Sequence, residues 1–265
     1  MTRTARALTI ASSDSGGGAG IQADLRAFAA AGCHGSSAIV ALTAQNTREV
    51  TAIHAVPADF VVAQIEAVFD DIGVDAVKTG MLLSAEIIEV VAASLAGRHL
   101  PLVVDPVMVA SSGARLLEED AVAVMVSRLF PLATVITPNL PEAEMLTGTT
   151  GSRRELAERL CGMGAAAVIV TGGHGSQPVD HLFDGRDHVE IPVPRHRVAA
   201  THGAGCTHSA TLAALLAQRW PLREAARTAA EVAARAVGCG LTDIGAGDGP
   251  VDVLDVRSRA RPAPA

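Results

Sequence analysis

The sequence predicts an α/β fold, a three-layer sandwich with a mainly parallel central sheet, and three observations predict it. Short apolar or β-branched runs alternate with helical patterns of roughly 10–15 residues almost from end to end, the signature of βαβ units. Glycines and acidic or amide side chains cluster just after those runs, where parallel sheets bind ligands. Apolar residues make up 49% of the 265-residue chain, enough to cover a sheet on both faces.

The elements follow in order. Ala7–Ala11 is a short apolar run that stops at Ser12-Ser13-Asp14, followed by a glycine loop and a helix over Ile21–Ala31. Ser37–Thr43 suits a strand buried on both faces. Pro57 opens a helix in which Val61, Ile65, Val68, Phe69 and Ile72 form one stripe at helical spacing. Val74–Thr79 is a strand, and Ser84 caps a helix with Ile87, Ile88, Val91 and Leu95 on one side. Leu102–Asp105 and Thr134–Thr137 are strands separated by a helix over Glu118–Phe130, and a short helix starts at Pro141. Ser152 and Glu155 form a capping box that opens another helix before a strand at Ala166–Thr171. His181–Val193 reads as a hairpin around Asp184-Gly185 at a sheet edge, and Thr207–Gln218 and Pro221–Gly238 as helices. Arg257–Ala265 reads as a frayed tail. With no linker or internal repeat, residues 1–265 are expected to form a single domain.

Composition excludes several functions. Aromatics are only 2% of the chain and the net charge is −7, which argues against nucleic acid, since its binders need stacking platforms and a basic face. The charge-free stretches 27–47, 160–179 and 198–218 are each broken by Gly, His, Ser, Thr or Gln, so no membrane span is expected. The apolar run after Arg3 and Arg6 is too short for a signal peptide. Cys33, Cys161, Cys206 and Cys239 lie far apart without a C-x-x-C pair, as expected of reduced thiols in a cytoplasmic protein. Among 21 basic residues the only lysine is Lys78, which points to a position needing a compact ammonium.

Three constellations carry chemistry. The loop Ser13-Asp14-Ser15-Gly16-Gly17-Gly18-Ala19-Gly20 runs into a helix, an arrangement that lets backbone N–H groups approach an anion. Gly18-x-Gly20-x-x-Ala23 also fits a dinucleotide fingerprint, but no acidic residue ends the second strand, and Lys78 lacks the preceding glycine of a Walker loop. The second constellation is Gly203-Ala204-Gly205-Cys206 at a helix start, an oxyanion-type nest where a thiolate would be stabilised and the Cys206 pKa lowered. A zinc site from His202, Cys206 and His208 is an alternative that lacks a clear fourth ligand. The third is acidic: Asp105, Asn139 and Glu142 lie at two strand ends and supply the oxygen ligands that Mg²⁺ takes beside phosphates. Two anion nests and strand-end carboxylates favour Mg²⁺–nucleotide phosphoryl transfer over hydride transfer.

Ser13-Asp14-Ser15 with Gly17–Asp24, Ala44-Gln45-Asn46-Thr47, Lys78-Thr79-Gly80-Met81-Leu82 and Asp105-Pro106-Val107-Met108 resemble hydroxymethylpyrimidine/phosphomethylpyrimidine kinase. So do Thr137-Pro138-Asn139-Leu140-Pro141-Glu142-Ala143, Gly172-Gly173-His174 and His202–Thr207, in the expected order over residues 7 to about 252. The resemblance implies a ribokinase-like fold, a homodimer, and two Mg-ATP-dependent phosphorylations in thiamine biosynthesis. The first converts 4-amino-5-hydroxymethyl-2-methylpyrimidine to its monophosphate, the second the monophosphate to the diphosphate. Pyridoxal or pyridoxine kinase activity on the same fold is the alternative, and the Gln45 amide, able to pair with a pyrimidine edge, argues for the aminopyrimidine. By position, Gln45 would bond the pyrimidine, with Asp24, Gly20, Met81 and Val107 lining its pocket. Asn139, Glu142, Thr171, Gly173 and Lys78 would bind the nucleotide, Asp105 and Glu142 the Mg²⁺, and Gly203–Cys206 the transferring group. Cys206 would be the base for the alcohol. Thr171 stands where the family commonly has Lys, and Ser12 where it has Gly.

Overall fold

The computed structural model describes residues 3–109, 117, 119–173 and 178–259. Among them the strands are β1 (Arg6–Asp14), β2 (His34–Gln45), β3 (Val50–Ala55), β4 (Ala76–Thr79), β5 (Leu102–Val104), β6 (Val135–Ile136), β7 (Val168–Val170), β8 (Val179–Phe183) and β9 (His188–Pro192). The helices are α1 (Gly20–Ala30), α2 (Ala58–Ala67), α3 (Ala85–Leu95), α4 (Glu119–Val124), α5 (Leu140–Thr147), α6 (Arg153–Gly162), α7 (Ala204–Ala217), α8 (Leu222–Gly238) and α9 (Val256–Arg259).

The strands form one sheet in the order β3-β2-β1-β4-β5-β6-β7-β8-β9. Pairing is parallel from β2 to β7 and antiparallel at both margins, where β3 pairs with β2 and β8 with β7 and β9. Alternation along the strands sends side chains to opposite faces. Leu8 and Ile10 join a core with Val61 and Ile65 of α2, Ile88 of α3 and Leu156 of α6. Ala7, Val103, Val135 and Ile169 face the other way, onto Phe28 of α1, Leu212 of α7 and Ala226 of α8. This is the expected three-layer sandwich.

Several elements differ from the sequence expectation, each for a physical reason. No strand is predicted over Val50–Ala55, yet β3 forms there. It is a sheet margin exposed over most of its length, so it carries no hydrophobic run to detect. Beside it β2 is not buried on both faces throughout, since Leu42 is exposed. The helix from Pro57 is α-helical only to Ala67 and continues as a π-turn over Val68–Ile72. Likewise α4 passes into a π-turn at Met125–Leu129 and a 3₁₀ turn at Phe130–Leu132. Glu118, its expected first residue, lies outside the described residues. The α7 helix begins at Ala204, three residues before the expected start. In the expected tail, Val256–Arg259 are helical, and 260–265 lie outside the described residues.

Chain order departs from β1 in both directions, to β2 on one side and β4 on the other. At such a switch point the adjacent loops diverge and leave a crevice beyond the carboxyl ends of the strands.

Candidate active site

The floor of the crevice is an ion pair. Lys78 on β4 and Asp24 on α1 are fully buried, with Nζ 2.9 Å from each carboxylate oxygen, and Thr9 donates to Asp24 at 2.6 Å. Burial pushes the Asp24 carboxyl up, but Lys78 and Thr9 oppose it. Asp24 stays above the usual carboxylate range, while for Lys78 burial pulls the ammonium down but Asp24, Cys206 and Asp105 outweigh it and hold it above its usual range. The expectation that Asp24 lines the pocket is corrected. Asp24 does not line the cleft, and Lys78, which does, is paired with it.

The first glycine loop is not an open anion cradle. Its N–H groups converge on the chain's own Asp14, which accepts from Gly16 at 2.8 Å, Gly18 at 3.1 Å and Ala19 at 2.9 Å. Burial pushes the Asp14 carboxyl up, yet His202, at 2.9 Å, and the backbone donors outweigh it and hold it below the carboxylate range. A dinucleotide pyrophosphate would find these donors occupied. Gly20 has φ +57°, and a Cβ there would stand 2.4 Å from Ser12 O, so this residue is first a requirement of the fold. The Ser12 hydroxyl, in place of the family's glycine, donates to Met81 O at 3.1 Å and ties β1 to the pocket wall.

The second nest is open. No side chain caps α7, and Ala204 N–H donates to Thr201 O, leaving the amides of Gly205 and Cys206 directed at the crevice. Gly203 has φ +83°, and a Cβ there would stand 1.8 Å from Gly18 O, so the nest is keyed directly into the first loop. The expected lowering of the Cys206 pKa is overturned. Burial pushes the thiol up to about 12, with Asp24 and Asp105 adding to the rise and Lys78 and the Gly20 N–H opposing it. The helix start is a weaker influence than desolvation beside two acids. The zinc alternative also fails, because His202 is bonded to Asp14, His208 faces Asp180, and no metal-binding cluster occurs among the described residues.

On the far side Asn139 and Glu142 form a reciprocal capping box at the start of α5, with bonds of 2.9 and 3.0 Å. Asp105 ends β5 and accepts from Ser209 on α7 at 2.8 Å. Burial and the neighbouring Asp105 push the Glu142 carboxyl up to about 8. These two carboxylates line the same cleft and feel each other's charge, and oxygen donors of this kind fit a divalent cation beside phosphates.

These groups share one cleft of about 770 Å³. Gly20, Gln45, Met81, Val107, Lys78, Asp105, Gly203–Cys206, Asn139, Glu142, Thr171 and Gly173 all line it. Of the expected site residues only Asp24 is absent from the lining. The Gln45 side chain accepts from Thr43 at 3.1 Å and places its Nε2 3.4 Å from His202 Nε2. Sequence reasoning missed Asp14 as an acceptor, the Asp180–His208 pair, and the apolar wall of Val193, Ala230, Ala233, Ala234 and Val237. Small residues repeating along α8 were the one available signal for that wall. His174, part of the quoted Gly-Gly-His, lies outside the described residues.

Comparison with known proteins agrees with this geometry. The family model described as phosphomethylpyrimidine kinase matches residues 14–252. A hydroxymethylpyrimidine/phosphomethylpyrimidine kinase of Rhizobium meliloti is 49% identical over 94% of this chain and 96% of its own length. The thiamine biosynthesis bifunctional protein ThiED of Geobacter sulfurreducens is 51% identical over 95% of this chain, which spans 54% of that longer protein. The crystal structure of an ADP complex of Bacillus subtilis pyridoxal kinase superposes with a TM-score of 0.88 at 36% identity, covering 96% of this chain and 99% of that one. The fold, the order of the site elements and the near full-length match lead to one assignment: the chain belongs to the phosphomethylpyrimidine kinase family.

Proposed function

We propose that the chain phosphorylates 4-amino-5-hydroxymethyl-2-methylpyrimidine and then converts the monophosphate to the diphosphate, both with ATP, in thiamine biosynthesis. The observation that carries this reading is that one cleft is lined by Gln45, Met81 and Val107, by the α7 nest, and by Asn139, Glu142, Thr171 and Gly173 together. Gln45 offers an amide donor and acceptor, the complement of a ring nitrogen beside an exocyclic amine. The apolar wall of α8 suits a purine, and the ADP complex of the similar Bacillus subtilis pyridoxal kinase supports nucleotide binding by this fold.

Phosphoryl transfer has a loose transition state, so positioning and charge neutralisation dominate. The Gly205 and Cys206 amides hold the transferring group. Asp105 and Glu142 would hold Mg²⁺, which when bound neutralises charge on the phosphates. Cys206 rests as a thiol facing the acceptor. Only its thiolate form, reached when the thiol first loses its proton to solvent, takes the proton of the alcohol in the first step, whereas the phosphate acceptor of the second step is already ionised and needs no base.

Pyridoxal phosphorylation is the second reading, favoured by the similarity to pyridoxal kinases of known structure. Incubation with Mg-ATP and either the pyrimidine alcohol or pyridoxal, followed by mass spectrometry, separates the two. We expect mono- and then diphosphate from the pyrimidine; product from pyridoxal alone would overturn the assignment. A homodimer is part of the proposal, supported by the unpaired β3 margin and by exposed Leu42, Ile53 and Phe60 in that part of the fold. Sedimentation tests it. A cytoplasmic location is supported by the free cysteines.

A further inference from the structure

One buried pair in the cleft has no place in the mechanism above. His208, on the second turn of α7, is 4% exposed and lines the cleft. Its Nε2 lies 3.3 Å from Asp180 Oδ2, within ion-pair range, yet neither ring nitrogen is aligned with a hydrogen-bond partner. Asp180 itself is anchored, because its Oδ1 accepts from Gly172 N at 2.6 Å. The pair therefore links α7 to the Thr171–Gly173 turn.

A buried imidazole without a hydrogen bond is costly, and such atoms call for a ligand or water to complete them. The surroundings specify which ligand. Gly173 and His208 both line the cleft, and a Cβ at Gly173 would meet nothing within 4 Å, so the Thr171–Gly173 turn leaves room for a ligand there. Thr171 contributes a hydroxyl and no charge. Elsewhere in the cleft Lys78 is paired with Asp24 and His202 with Asp14. Arg195 and His196 also line the cleft, and His208 is the imidazole that Asp180 ties to the Thr171–Gly173 turn.

We propose that His208, steadied by Asp180, donates from its ring to the phosphate chain of the bound nucleoside triphosphate and supplies the contact that Thr171 does not. His208 is then a nucleotide-binding residue and Asp180 a positioning residue. The inference rests on the kinase reading above, naming one more group at that same site.

The test compares His208→Leu, which fills the space without a polar atom, with His208→Gln, which keeps a donor. Steady-state kinetics would be joined by calorimetric titration with ADP and by thermal melts. A lost hydrogen bond to a charged group predicts a KM for ATP raised about tenfold or more in His208→Leu. The ADP Kd should rise in parallel and the KM for the pyrimidine stay unchanged, with partial recovery in His208→Gln. Adding Thr171→Lys to His208→Leu should restore nucleotide affinity, because it returns a cation to the same wall. Unchanged ATP and ADP affinities in both variants would overturn the proposal. So would parallel losses for both substrates accompanied by a lowered melting temperature, the mark of a purely structural pair. If the unmodified chain transferred no phosphate at all, the kinase reading would fail, and the ADP titration would still decide the role of His208.

Discussion

Lys78 shows how one side chain answers a local electrostatic demand. A buried carboxylate at 0% exposure needs a compact, strong donor, and the ammonium reaches both oxygens of Asp24 at once. Removing one member of a buried pair leaves the other charge unpaired, so Lys78→Met should cost about 3–5 kcal/mol of stability. Adding Asp24→Asn should give back part of that loss, and urea denaturation of the single and double variants measures the coupling. Cys206 faces the opposite problem, a thiol pushed up to about 12. Its ionised fraction grows as pH rises, so a thiolate base makes the alcohol-acceptor step climb up to about tenfold per pH unit between pH 7 and 9. The phosphate-acceptor step should stay level, and Cys206→Ser should slow the alcohol step more and abolish its climb. Identical pH profiles for the two steps would assign Cys206 to positioning alone.

At the scale of elements, the start of α7 separates glycines required by the fold from glycines required by the ligand. Gly203 holds a left-handed conformation pressed on Gly18 O, whereas a Cβ at Gly205 would meet open space. Gly203→Ala should therefore destabilise the protein by at least about 1–3 kcal/mol. Gly205→Ala should leave stability unchanged or raise it by up to about 1 kcal/mol, while turnover falls because the new methyl stands at the nest. Melting curves paired with initial rates distinguish the two. Most elements were legible from local rules: Ser84 and Ser152 cap their helices as their side chains dictate, and Asp184-Gly185 turns the hairpin between β8 and β9. The exposed β3 and the π-turns at Val68–Ile72 and Met125–Leu129 were not. Their backbone geometry is set by what they pack against, and no residue in them states it locally.

At the scale of the molecule, the fold buries Glu142 at the start of α5 near Asp105 at the end of β5, and burial with that neighbouring acid pushes the Glu142 carboxyl up to about 8. A carboxyl raised in the folded state is ionised first in the unfolded chain, so its contribution to stability is lost as pH rises from about 4.5 to about 8. Glu142→Gln should accordingly melt higher than the unmodified protein at pH 8 in the absence of divalent cation, and equally at pH 4.5. Magnesium should raise the melting temperature of the unmodified protein at pH 8 and leave that of Glu142→Gln unmoved. A magnesium response retained by Glu142→Gln would remove Glu142 from the cation site.

The sequence by itself determined the α/β layering, the glycine-rich starts of α1 and α7, and the set of residues that gather at the rim. These follow from hydrophobic period, turn chemistry and residue type, all of which act over a few neighbours. Tertiary structure alone decided what each of those groups does. Asp14 claims the first loop's donors, Asp24 takes the charge of Lys78, and burial beside two acids reverses the expected acidity of Cys206. Each outcome depends on which distant side chain arrives within about 3 Å and how much water it displaces, since desolvation and pairing outweigh the local helix dipole.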